Sequence, residues 1–105
     1  MQEPTFLILT ALAAAPQHGY AIMTEVRSIS AGRVRLRAGT LYAALDRLLT
    51  AELIEVDREE VVDGRLRRYY GILPEGRRRL AAEAERLQAN VTAAVTKLRA
   101  TEALG

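Results

Sequence analysis

Leu41, Leu45, Leu48 and Leu49 stand at i, i+4, i+7 and i+8, which places them on one face of a helix. Thr40, Ala43 and Arg47 fall on the opposite face, with Tyr42 flanking them. Upstream, Phe6, Leu9, Leu12 and Ala13 recur at helical spacing, with Pro4 in the first turn. That helix should end near Ala15, because Pro16 biases its predecessor away from helical geometry. Leu7 and Ile8 widen its apolar arc and suggest burial on more than one side. Tyr20, Met23 and Val26 predict a second helix with Ile22 on or beside its buried face, and His18-Gly19 reads as the turn before it. Arg33 to Arg37 alternates strictly, with Val34 and Leu36 facing in and three arginines facing out, which predicts a short strand that joins a small sheet.

Two β-prone runs, Ile54 to Glu60 and Arg65 to Ile72, flank Asp63-Gly64. Glycine readily takes φ > 0 at the second central position of a tight turn, so this is a hairpin signal. From Glu75 onward, Leu80, Ala84, Leu87, Val91, Ala94 and Leu98 are spaced 4, 3, 4, 3 and 4, a heptad seam. A helix of about 28 residues would be about 42 Å long, too long to pack wholly on so small a domain. The fold class expected is mostly α with a small β wing: a winged helix-turn-helix over residues 1–74, then a long C-terminal dimerisation helix over 75–105. The dimer interface expected is Leu80, Ala84, Leu87, Val91, Ala94 and Leu98, with Phe6 and Leu9 from the first helix.

Charge sharpens this picture through its distribution. The formal net charge of the 105 residues is only +2. Arg27, Arg33, Arg35 and Arg37 occur between Val26 and Leu45 without an acid, and Arg65, Arg67, Arg68, Arg77, Arg78 and Arg79 follow Gly64 against Glu75 alone. Glu52, Glu55, Asp57, Glu59 and Glu60 lie between the two basic patches. That segregation suggests a directed surface for a polyanion. On this reading Thr40, Tyr42, Ala43 and Arg47 project into the DNA major groove. Arg33, Arg35 and Arg37 lie near its entry, and Arg65, Arg67 and Arg68 serve the wing.

Several classes of chemistry have no residues to carry them. There is no cysteine, hence no disulfide and no thiolate metal site. The single histidine, His18, lacks partners for a metal or a catalytic base and is expected to be structural. No Ser-His-Asp set and no glycine-rich phosphate loop occur, so neither an enzyme nor a cofactor is expected. No apolar run approaches a membrane span, and no charged n-region precedes Phe6-Leu7-Ile8-Leu9, so a cytoplasmic location is expected. A winged-helix protein-interaction module without DNA binding is the competing class.

The blocks Pro16-Gln17-His18-Gly19-Tyr20-Ala21-Ile22 and Gly39-Thr40-Leu41-Tyr42-Ala43-Ala44-Leu45-Asp46-Arg47-Leu48 carry a resemblance. With Leu53-Ile54, Asp63-Gly64-Arg65, Tyr69-Tyr70 and Pro74-Glu75-Gly76, they make residues 5 to 87 similar to the PadR-like family of bacterial transcriptional regulators. The resemblance implies a dimeric repressor on an inverted-repeat operator in double-stranded DNA, and it leaves open a small-molecule effector of unknown identity. The final helix has no aromatic residue, so it cannot sandwich a planar ligand. A smaller pocket lined by Phe6, Leu9, Val91 and Val95 is the remaining site for one. The chain departs from the family pattern at Arg37, where a small hydroxyl residue is usual, at Leu66, where proline is frequent, and at Leu73, where threonine is usual.

Overall fold

The computed structural model describes residues 1–104. Its elements are α1 (Glu3–Ala14), β1 (Gln17–His18), α2 (Gly19–Ile29), α3 (Ala38–Thr50), β2 (Ile54–Val62), β3 (Arg65–Ile72) and α4 (Pro74–Leu104). The three strands form one antiparallel sheet in the order β1-β3-β2.

Helix α1 is the hub. Glu3 in its first turn suits the helix dipole, and Leu7, Ile8, Leu9, Ala11 and Leu12 are buried. Three successive buried residues cannot share one face, so the helix is covered on several sides, by α2, α4 and β3. Leu9 is 0% exposed and belongs to the subunit core, which corrects its assignment to a dimer surface. Phe6 packs against the core from a partly buried position.

The third strand is Gln17–His18, not the Arg33–Leu36 run. His18 pairs with Tyr69 and Gln17 with Tyr70, which occupies the free edge of β3. Gln17 Nε2 donates to the Ala11 carbonyl at 2.7 Å and to Glu25 Oε2 at 2.6 Å, tying β1 to both helices. The alternation from Arg33 to Arg37 survives as an extended connection, with Val34 and Leu36 half-buried and the arginines exposed. Its backbone is committed elsewhere. The Val34 N–H donates to Ser30 Oγ at 3.0 Å, and the Ser30 hydroxyl donates to the Val26 carbonyl at 2.8 Å. A side chain thus takes the bond a strand neighbour would need.

In α3, Leu41, Ala44, Leu45 and Leu48 are buried and Leu49 is half-buried. The hairpin follows, with β3 spanning Arg65–Ile72 as expected and β2 two residues longer than expected, ending at Val62. Asp63 (φ 52°) and Gly64 (φ 75°) both take left-handed backbone in the two-residue turn. A bulge between Val56 and Arg58 lets Asp57 escape the ladder. The 31 residues of α4 reach about 46 Å. Gly76 is buried against the start of β2 and Leu80 packs on the core, whereas every described residue from Ala84 on is exposed.

Candidate nucleic-acid interface

The geometry starts at the corner between β1 and α2. Chain reversal after Pro16 brings His18 to the N-cap of α2, where its Nδ1 accepts the Ala21 N–H at 3.3 Å. That bond needs an unprotonated Nδ1. Burial, and then the positive charge of Arg67, hold the His18 pKa below its ordinary value. The ring sits edge-on to Tyr69, with centroids 5.4 Å apart. The Arg58 guanidinium lies over the Tyr69 ring at 4.0 Å. His18 therefore caps α2, and it also lines the groove between α3 and the wing.

Gly19 follows, buried, with the Tyr42 phenol of α3 lying directly on it. A Cβ at Gly19 would stand 3.0 Å from Tyr42 Cζ and would collide with the hydroxyl. The absence of a side chain there lets α2 and α3 approach and places the Tyr42 ring.

On α3, Thr40, Tyr42, Ala43 and Arg47 are all exposed, opposite the buried leucines. Arg37 occupies the N-cap position without a side-chain cap and is also exposed. Between α3 and the wing lies an open groove of about 620 Å³. His18, Tyr20 and Tyr42 line one side of it, and Arg65, Leu66, Arg67 and Arg68 the other. The structure therefore brings Tyr42 together with all three wing arginines. Arg68 is tethered by Glu59 at 3.1 Å. Arg35 faces a second hollow of about 170 Å³ beside Arg27 and Tyr20. Arg33 is not brought to the groove lining. Its Nη1 and Nη2 make a forked pair, each at 2.9 Å, with the Glu3 carboxylate at the start of α1.

The sequence reading missed Tyr20, which is 75% exposed between the two hollows. The signal was present. Ile22 and Val26, one turn apart, define the inner face of α2, and a residue two positions before Ile22 points away from it.

Residues 8–82 match the model of the transcriptional regulator PadR-like family. The chain belongs to the PadR-like family. Among solved structures, a PadR family transcription regulator from Clostridium difficile R20291 is 26% identical, with a TM-score of 0.76 over 88% of this chain and 94% of that one. Bacillus subtilis PadR, solved in complex with operator DNA, shares the fold at a TM-score of 0.70 and 17% identity, over 79% of this chain and 47% of its own. A 37.1 kDa protein in transposon TN4556 of Streptomyces fradiae is 40% identical over 82 residues, 78% of this chain. The chain spans only 22% of that relative's length. The chain has the winged-helix fold of this family of transcriptional regulators and a long C-terminal helix. No described helix is long and apolar enough to cross a membrane.

Proposed function

We propose that this PadR-like protein is a cytoplasmic, dimeric repressor that binds an inverted-repeat operator in double-stranded DNA. The observation that carries the reading is the groove in which Tyr42 of α3 meets three wing arginines, beside the exposed Thr40, Ala43 and Arg47 of the same helix, which do not line it. A helix with small and polar residues outward fits the major groove, and guanidinium groups beside it fit the phosphates. The operator DNA held by Bacillus subtilis PadR is the same class of ligand on the same fold. Thr40, Tyr42, Ala43 and Arg47 serve base edges and nearby phosphates, while Arg35, Arg37, Arg65, Arg67 and Arg68 serve the backbone. Arg33 contributes only once released by Glu3.

Two-fold association rests on the far half of α4. Val91 and Leu98 are 54% and 64% exposed, and they continue the seam of Leu80, Ala84, Leu87 and Ala94. A heptad seam exposed to water over several turns is stabilised by a second copy of itself. Residues 1–74 then act as the DNA-binding unit and 75–105 as the dimerisation helix, with Phe6 contributing from α1. The dyad would place half-site centres about 34 Å apart or a multiple of that.

A gel shift on DNA upstream of the protein's own gene tests the reading. Specific retardation is expected, with a log–log salt slope near −0.9 per neutralised phosphate. Tyr42→Ala should weaken specific retardation more than nonspecific binding. A salt-insensitive response, or retention equal for operator and random DNA, refutes it.

A further inference from the structure

Among the described glycines, Gly39 alone has neither a positive φ nor any atom within 4 Å of an added Cβ. It stands exposed in the first turn of α3, where glycine lowers helix propensity. Neither the backbone nor the packing of the subunit calls for it. A glycine of this kind, on a face turned to solvent, leaves room for close approach from outside. Gly39 and Ala43 lie one turn apart on the outward line of α3, with Thr40 beside them, and all three are exposed.

The residue types on this face set what it can read. In the major groove arginine suits guanine, asparagine and glutamine suit adenine, and aspartate suits cytosine. The methyl groups of alanine and threonine suit the C5-methyl group of thymine. Helix α3 contains no asparagine, glutamine or lysine. Asp46 and Arg47 are exposed about a turn further along, and their groups suit cytosine and guanine. Tyr42 is turned aside, its phenol lying on Gly19 and its ring lining the groove toward the wing. The leading turns of α3 therefore offer two methyl groups and a bare stretch of backbone.

We propose that α3 recognises A·T pairs through the C5-methyl group of thymine, with Thr40 and Ala43 as the reading residues and Gly39 admitting the helix close enough for them to touch. The proposal rests on the DNA-binding reading above and deepens it by naming the chemical group in the operator on which specificity turns. The contact is apolar, so its strength comes from removing methyl surface from water and is independent of charge.

The test is fluorescence anisotropy on the upstream fragment that wild type binds, prepared with either thymine or uracil throughout. Uracil lacks the C5-methyl group and leaves base pairing and phosphates in place. Wild type is expected to lose about tenfold in affinity on the uracil fragment, with an unchanged salt slope because no phosphate contact is lost. The double variant Thr40→Ser/Ala43→Ser should bind the thymine fragment about tenfold more weakly than wild type and distinguish the two fragments by less than about twofold. Gly39→Ala should lose about tenfold on the thymine fragment while melting at or above wild type. The wild-type comparison needs no variant, so it decides the matter even where the double variant fails to fold. Equal wild-type affinity for the two fragments overturns the proposal. So does an equal loss on uracil in wild type and double variant, which marks an effect of DNA shape, and so does a changed salt slope or a Gly39→Ala protein with wild-type affinity. Failure of wild type to bind any upstream DNA overturns instead the reading on which the proposal rests.

Discussion

Two helical glycines should respond to the same substitution with opposite signs. Gly76, near the start of α4, is buried against the beginning of β2. A Cβ there would stand 2.8 Å from Ile72 Cγ1 and 3.1 Å from the Leu53 carbonyl carbon, and would overlap the Leu53 carbonyl oxygen. Ordinary carbon contacts lie at about 3.5–4.0 Å. The obstruction is backbone, and it is held in place because the Leu53 carbonyl accepts the Leu73 N–H at 2.9 Å. Alanine must therefore push α4 away from the sheet. Overpacking costs about 1–3 kcal/mol, weakening of that hydrogen bond about 1 kcal/mol more, and the better helix propensity of alanine returns about 1 kcal/mol. The net loss expected for Gly76→Ala is about 2 kcal/mol, or about 10 °C in melting temperature for a domain of this size. Gly39, in the first turn of α3, has nothing within 4 Å of an added Cβ and is exposed. Gly39→Ala should gain about 0.5 kcal/mol from propensity alone. Thermal melts of both variants at one protein concentration, monitored by circular dichroism, make the comparison, since self-association would shift both curves. A Gly76→Ala protein that melts at or above wild type refutes the packing argument.

Three further outcomes follow from individual contacts. His18 has a depressed native pKa, so the unfolded chain takes up its proton first as pH falls, and stability should decline below about 6.5; His18→Asn, which can still cap α2, should flatten melting temperature between pH 7.5 and 5.5. Glu3 and Glu83, held low mainly by hydrogen bonds from Arg33 and Arg86, lose their contribution only below about 4.5, so they do not overlap that window. Glu59→Gln releases Arg68 for phosphate and should tighten DNA binding about two- to fivefold, in line with the small free energy of an exposed ion pair; unchanged anisotropy titrations would remove Arg68 from the interface. Gly19→Ala should displace the Tyr42 phenol and cost as much operator affinity as Tyr42→Ala, with little change in melting temperature, because the far end of a side chain moves more cheaply than backbone; an affinity equal to wild type would show that the phenol position is irrelevant.

Local pattern made much of this architecture legible. The leucine face of α3 and the Asp63–Gly64 turn are set by contacts within a few residues, and both stand where the periodicity places them. Strand β1 was not legible, because two residues carry no period. Gln17–His18 is a strand only because β3 offers it an edge. The Arg33–Leu36 run has the period of a strand without being one, since Ser30 takes its backbone donor. Leu9 shows the limit of counting apolar positions on α1: when Leu7, Ile8 and Leu9 are all buried, spacing cannot tell which of them meets a partner subunit. Arg33 looked like a free cation because its carboxylate, Glu3, lies thirty residues away in sequence.

The parts of the interface are mechanically linked through one corner of the fold. Tyr42 belongs to α3 but rests on Gly19 of α2, and the residue before Gly19, His18, both caps α2 and pairs in the sheet with Tyr69 of β3. The strand that carries Tyr69 also carries Arg65, Arg67 and Arg68. A shift of the hairpin therefore moves β1, and through the His18–Gly19 backbone it moves the surface on which the Tyr42 ring lies. Burial of Gly19 and the buried position of Tyr70 leave little slack along this route. On the proposed reading, α3 and the wing would therefore meet DNA in a fixed relative placement, so that contacts from one element hold the other in register.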